Sequence, residues 1–514
     1  MRILIGLFFC LLSGTLVAQK TGAAPTKWPF GKGQDARAAG DGYDLWNLGI
    51  IGAKACDADN PPKERGAGMQ RFTSSGDDRS KDDGPKRLRV DALFPAGPAE
   101  TSGLKIGDVI VGVSGEVFAK NSMPQLAAAL VKAESNKEKP IVMLLVETPG
   151  GKPKVVSIRV PLDAESSNPA TPAARAKIAK RSLGFLASKQ GSDGGFSQTL
   201  SGVNGAVVQT SLAGLCWLAE GSAPGKGSYG EQLTQARDFV VKNLLQKDDG
   251  PSPAGGANWD QTHWRVTYGM MFLAECEARA PDPAVMAALR QGVTRLEAAQ
   301  VESGGFGHGP GGPNALGYVE LNIVGGLVVK ALGVAKTVGC QVDDVKARRL
   351  MRYLEASGGG DGGVGYSAGR GQKGQGNIGR TAISWLGAMQ CAPQDAFTAK
   401  MRSYTERNLD DVLGGHASYL QHVSFAGLAA CALSPEAEKR FVAATSRDLT
   451  LNRAPDGSIQ PRPWHESILM NSNSDVSVGE IWSTACQTLP LIARIPKTGA
   501  LGLPVTLGQK LKRP

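Results

Sequence analysis

Residues 190–196 read QGSDGGF and residues 300–306 read QVESGGF. Each stretch places a Gln four residues before a Gly and six before a Phe, between a polar-faced helical run and a more apolar one. Glycine turns of this kind recur at Gly194, Gly250, Gly305, Gly362, Gly414 and Gly457, at intervals of 56, 55, 57, 52 and 43 residues. The runs before the turns (174–190, 231–247 and 282–300 among them) are amphipathic. Those after them (207–220, 262–276, 318–333, 379–391, 417–431 and 478–493) are rich in Ala, Gly and Leu. Self-similarity at a fixed period marks stacked supersecondary units. Six helical hairpins with apolar members face to face close into a double ring, and the lack of obvious terminal caps favours closure over an open superhelix. The expected fold over 174–495 is an all-α (α/α)6 toroid, preceded by a linker at 163–173 and followed by a tail at 496–514.

The Gln-x-x-x-Gly-x-Phe turns resemble the repeat motif of terpenoid cyclases and protein prenyltransferase β subunits. Gln190/Gly194/Phe196 and Gln300/Gly304/Phe306 keep the motif, Gln246/Gly250 keeps half, and the later repeats keep only glycines. The resemblance implies a brace: the Gln ties helix ends and the aromatic ring packs between repeats. It does not extend to chemistry. The pairs Asp248-Asp249, Asp343-Asp344 and Asp410-Asp411 have Gln246, Gln341 and Asn408 where a cyclase's Asp-x-Asp-Asp begins with Asp. No cysteine follows an Asp at the spacing of a prenyltransferase zinc site. Tyr229-Gly230-Glu231-Gln232 lacks the cysteine of a thioester. Cyclase, prenyltransferase and thioester activities are not expected, and neither a metal nor a cofactor is.

Ahead of the toroid, residues 87–94, 108–115, 140–147 and 154–162 are β-branched runs. SMPQLAAALVKAE (122–134) has helical periodicity, with Ser122 as its expected N-cap. FPAGPAETSGLKIGDVIVGVSGEVF (94–118) resembles the PDZ domains of exported bacterial proteases. The resemblance implies a small α+β domain over 41–162, with a polar insertion at 56–86. It also implies a loop at Leu48, Gly49, Ile50 and Ile51 whose amides receive a peptide's C-terminal carboxylate, beside a groove lined by Met123, Leu126 and Leu130. The partner so implied is a peptide or protein C-terminus. The two-part order also resembles a family of secreted bacterial proteins that join a PDZ module to a toroid. That likeness supplies architecture and no reaction.

MRILIGLFFCLLSGTLVAQ reads as a signal peptide cleaved after Ala18, with 19–40 a flexible segment behind it, so the chain is expected to be exported to the periplasm or beyond. Its apolar run is shorter than a bilayer span, and no later segment reaches that length. Export permits disulfides, yet the seven cysteines after Cys10 contain no CxxC pair. Cys216, Cys276, Cys391, Cys431 and Cys486 each fall in an Ala/Leu-rich run, as packing residues would. The net charge of +10 carries no block of consecutive Lys/Arg, so it reads as diffuse. An acidic glycan suits it and a nucleic acid is not expected.

In a double ring, the starts of the inner helices face a common cleft, where helix dipoles favour anions. Polar residues in those first turns are Gln209, His263, Glu320, Arg380, His416 and Glu480, with Asp260, Tyr419 and His422 near them. The catalytic candidates are His263, Glu320 and His416, able to share acid–base work. His308 of GGFGH reads as a loop histidine. Arg370, Lys373 and Arg380 among glycines form a candidate anion cradle. Two functions remain open: an exported binding or scaffold protein with a peptide groove and an anion-binding cleft, or a glycan-active hydrolase or lyase using that cleft.

Overall fold

The computed structural model describes residues 45–59, 84–148, 151–161, 171–196, 202–246, 261–310, 320–369, 374, 376–413, 418–461, 475 and 478–492. Residues 1–44, most of the expected insertion at 56–86 and residues 493–514 lie outside them.

The first body is a small antiparallel sheet. Its strands are β1 (Trp46–Asn47), β2 (Ala53–Asp57), β3 (Leu88–Leu93), β4 (Val109–Val113), β5 (Glu116–Val117), β6 (Ile141–Glu147) and β7 (Lys154–Arg159). They are ordered β1-β2-β3-β4-β6-β7, with β5 paired to β4. Alternation decides the buried face: Leu88, Val90 and Ala92 of β3, and Val142, Leu144 and Val146 of β6, point into one core. A short helix, α1 (Pro98–Thr101), precedes β4, and α2 (Ser122–Ser135) lies against β4 and β6. The cap of α2 is Asn121, whose Oδ1 accepts from the Met123 amide. The expected cap, Ser122, instead donates its hydroxyl to the Pro85 carbonyl.

The second body is two concentric layers of helices. The outer layer is α3 (Pro172–Lys189), α5 (Gly230–Asn243), α7 (Pro283–Ala299), α9 (Asp344–Ala356), α11 (Ala396–Arg407) and α13 (Pro435–Asn452). The inner layer is α4 (Gly202–Glu220), α6 (Thr262–Arg279), α8 (Asn322–Thr337), α10 (Ile378–Cys391), α12 (Tyr419–Leu433) and α14 (Glu480–Ile492). Inner helices pack in sequence, α4 on α6, α6 on α8, α8 on α10, α10 on α12 and α12 on α14. The last then packs back on α4, so the ring is closed. Composition explains the layering: α4 is buried from Val207 to Ala219, whereas α9 buries only a stripe including Ala347, Leu350 and Leu354. The first outer helix starts at Pro172, two residues before the expected boundary, because Thr171 caps it and proline suits the first helical position.

The repeat turn has a physical basis. Gly194, Gly304, Gly362 and Gly457 all have φ between 84° and 96°, which favours glycine. A Cβ on each would meet a backbone carbonyl of an outer helix: Gln235 of α5, Arg349 of α9, Lys400 of α11 and Arg181 of α3 respectively. The structural equivalent of Gly194 is therefore Gly304, one residue before the expected Gly305. Gln190 Nε2 donates to the carbonyls of Gly194 and Gln232, and Gln300 Nε2 to those of Gly304 and Lys346. Each Gln thus ties its own turn to the next outer helix. Gly250 and Gly414 lie outside the described residues. The seven described cysteines are all free, and six are buried.

One expectation is overturned by the way the bodies meet. Leu48, Gly49, Ile50 and Ile51 form a buried 3-10 turn, and Met123, Leu126 and Leu130 are buried with them. Helix α13 of the ring packs on both that turn and α2, and Leu451 joins the core of the sheet body. In addition, β1 already pairs with β2, Trp46 opposite Ala55 and Asn47 opposite Lys54. The seven residues expected to receive a peptide terminus are covered by the chain itself.

Candidate functional site

The six inner helices begin at one end of the ring, and the glycine turns lead into them there. Two of the turns also cap the previous inner helix. The His263 amide of α6 donates to the His308 carbonyl, and the Asn322 amide of α8 donates to the Tyr366 carbonyl. His308 and Tyr366 are thus equivalent positions at the ring mouth, and both carry a flat ring. His308 stacks on Trp264, ring centroids 5.9 Å apart, and accepts the Trp264 indole N–H on Nδ1 at 2.8 Å. Tyr366 lies under the Arg380 guanidinium, 5.8 Å from its centroid.

Below this rim the ring axis is filled. Tyr268 of α6 reaches across to α12, where Gln421 Nε2 donates to its hydroxyl at 2.8 Å. The Tyr268 ring stacks on Phe425 and meets Trp482 of α14 edge-on, 6.0 Å between centroids. Beside this plug sits Asp475, fully buried. Its carboxylate accepts the Trp482 indole N–H at 2.8 Å, the Ser418 hydroxyl and the Leu420 amide. Those donors favour the charged form, yet burial outweighs them and lifts the acid to about 6. Burial first, and the neighbouring His263 second, drive His308 down to about 3, so it is neutral at physiological pH.

The expected site residues fare unevenly. His263 is at the mouth, with Nδ1 2.8 Å from the Gly307 carbonyl and its ring edge-on to Phe306. Glu320 is turned away: its Oε1 accepts from Ser303 in the glycine turn, and it hydrogen-bonds Tyr353 of α9, so it braces the turn against the outer layer. Glu480 pairs with Lys189 at the end of α3. Gln209 donates to the Val478 carbonyl, and the His422 ring packs on Gly379 at the start of α10. Arg380 donates Nε–H to the Val364 carbonyl and is buried, which lowers it to about 10. It is therefore committed to its own loop, not to an open anion cradle. His416, Arg370, Lys373 and Asp260 lie outside the described residues. Among the described residues, no group of three or more His, Cys, Asp or Glu is placed to hold a metal. No helix among them is long and apolar enough to cross a membrane.

Asp475, Tyr268, Gln421 and Trp482 were not singled out in the sequence. The available signal was a lone Asp in SDVSVGEIW, just before the last inner helix, but its burial depends on Ser418 and Trp482 arriving from two different helices.

A closed ring of inner helices inside a ring of outer ones defines the class, an α/α toroid. The chain belongs to the family described as Domain of unknown function (DUF6288), whose profile matches residues 176–491, the whole helical body. Comparison with curated proteins gives no match. Among solved structures, the chain is similar to an inactive variant of an α-1,6-mannanase from Salegentibacter sp. HEL1_6. That match has 10% identity, covers 62% of this chain and 99% of that one, and has a TM-score of 0.46. It is also similar to an unsaturated glucuronyl hydrolase from Bacillus sp. GL1, at 13% identity, 67% and 100% coverage and a TM-score of 0.43. A glycosyl hydrolase family 88 protein from Bacteroides vulgatus matches at 12% identity, 63% and 99% coverage and a TM-score of 0.42. At these identities no residue role transfers from any of them.

Proposed function

We propose that the ring mouth is a glycan-processing site in an exported protein, with Asp475, buried beneath the rim, as a proton donor that a bound substrate must uncover. The observation that carries this reading is a carboxyl group held near pKa 6 beside Trp482 and Tyr268, at the end of the ring where six inner helices begin. A general acid works best when its pKa lies near the working pH, and desolvation is one way to bring a carboxyl into that range. The half-buried rings of Trp264 and Tyr366 offer faces for the C–H side of a sugar. The net charge of +10 suits a glycan carrying carboxylate or sulfate groups. Because Tyr268 and Gln421 close the axis, a substrate lies across the mouth and does not thread the ring.

The test is turnover of a panel of neutral and acidic oligosaccharides by the full chain and by Asp475→Asn. We expect turnover of an acidic member, a rate that falls as pH rises through about 6, and a loss of about 100-fold or more in the Asn variant. Turnover that survives in Asp475→Asn ends the assignment of the acid. The filled axis favours a second reading, a mouth that binds glycan without cleaving it; saturable binding with no product from any member of the panel would establish that one instead.

A further inference from the structure

We propose that the groove of the sheet body is an intramolecular binding site whose resident ligand is the last turn of α13, Thr450–Arg453, so that the body acts as a latch on the ring and not as a receptor for foreign peptides. Four independent contacts place this occupant. The Thr450 carbonyl lies 2.9 Å from where a Cβ on Gly49 would stand, and the Leu451 Cα is 3.8 Å from the same point. A side chain at Gly49 would expel the turn. Leu451 buries its side chain in the sheet-body core, 5% exposed. Asn47 Nδ2 donates to Asn452 Oδ1 at 3.1 Å and to the Pro461 carbonyl at 2.7 Å. Arg453 and Glu134 of α2 form a two-pronged pair at 2.9 and 2.7 Å, both buried.

The fit is made by packing at the loop and by side-chain pairing around it. A loop opening a strand beside a helix suits an extended segment that ends in negative charge. Here the carbonyl end of α13, the negative pole of a helix dipole, is presented to that loop. A guanidinium–carboxylate fork fixes its register. With β1 along the outer edge of β2, the strand edge is already in use, and the end of α13 packs on the loop beside it. The latch falls where the ring closes. Asn452 also donates to Gln487 of α14 and to the Tyr419 hydroxyl of α12, and Gly457 just beyond it packs on α3.

Hydrogen exchange of the full chain tests it, with Glu134→Arg, Arg453→Glu, the double swap and the milder Leu451→Ala. Either single reversal is expected to speed exchange in 53–57 and in α13 together, by about tenfold or more, and the double swap to restore both. Leu451→Ala gives the same coupled loosening should a reversal prevent folding. In parallel, the wild-type chain is titrated with a pool of peptides bearing free or amidated C-termini, and neither set is expected to bind. Faster exchange in α13 alone would overturn the proposal, as would carboxylate-dependent peptide binding while α13 stays protected.

Discussion

At the scale of single residues, the fold rests on a turn whose parts are not interchangeable. The Gln190 amide nitrogen donates to two carbonyls from different helices, which is why neither Asn, too short, nor Glu, which cannot donate, is an equivalent. Gln190→Ala is expected to cost about 1–2 kcal/mol, and Gln190→Glu more, because the carboxylate would face two carbonyl oxygens. Gly194→Ala meets both a φ of 84° and the Gln235 carbonyl 2.3 Å from its new Cβ, and is expected to cost about 2–4 kcal/mol. Urea unfolding of the three variants checks the order. A Gln190→Glu variant as stable as Gln190→Ala would remove the two-carbonyl tie as the reason for this residue. This turn was fully legible in the sequence, since it uses local chemistry at a fixed spacing. Only its register slipped, where two adjacent glycines at 304 and 305 read alike until φ separates them.

At the scale of the element, each inner helix trades an amphipathic face for all-round burial, and α8 carries the cost in Lys330. Its ammonium is fully buried and donates to Gln390 Oε1 at 2.9 Å and to the Leu386 carbonyl of α10. Burial pushes it down to about 7, against the opposing pull of Glu275. The folded pKa is thus below the unfolded one, so the stability tied to this group is complete above about pH 10.4 and is lost as pH falls towards 7. Lys330→Met, which removes the charge and keeps much of the volume, is expected to raise stability by about 1–3 kcal/mol at pH 7, with the gain shrinking as pH approaches 10. Urea midpoints at the two pH values measure this, and a variant less stable than wild type at pH 7 would mean that the bonds to α10 outweigh desolvation. The helix itself was legible from its apolar run. Its charge was not, because a lysine in VVKALG reads as an exposed position until six helices close around it.

At the scale of the whole molecule, ring closure and the docking of the sheet body were legible to different degrees, for one physical reason. Six similar units imply that the last must find the first, so closure follows from repetition. The docking of α13 into the groove joins segments some 400 residues apart through contacts that occur once and leave no periodic trace. Asp475 was missed on the same ground, since its burial depends on Ser418, at the start of α12, and Trp482 of α14 arriving beside it. Closure predicts cooperativity. In an open stack each unit answers only to its neighbours in sequence, and damage at one end frays that end. Here Gly457, at φ 93° in the last turn, puts its missing Cβ 2.7 Å from the Arg181 carbonyl of the first outer helix, and α14 packs on both α3 and α4. Gly457→Val should therefore loosen α3 and α4 as much as α13 and α14, with exchange in all four faster by about tenfold or more, and α8 affected least. Fraying confined to α13 and α14 would show that the seam contributes nothing and that the ring behaves as an open stack.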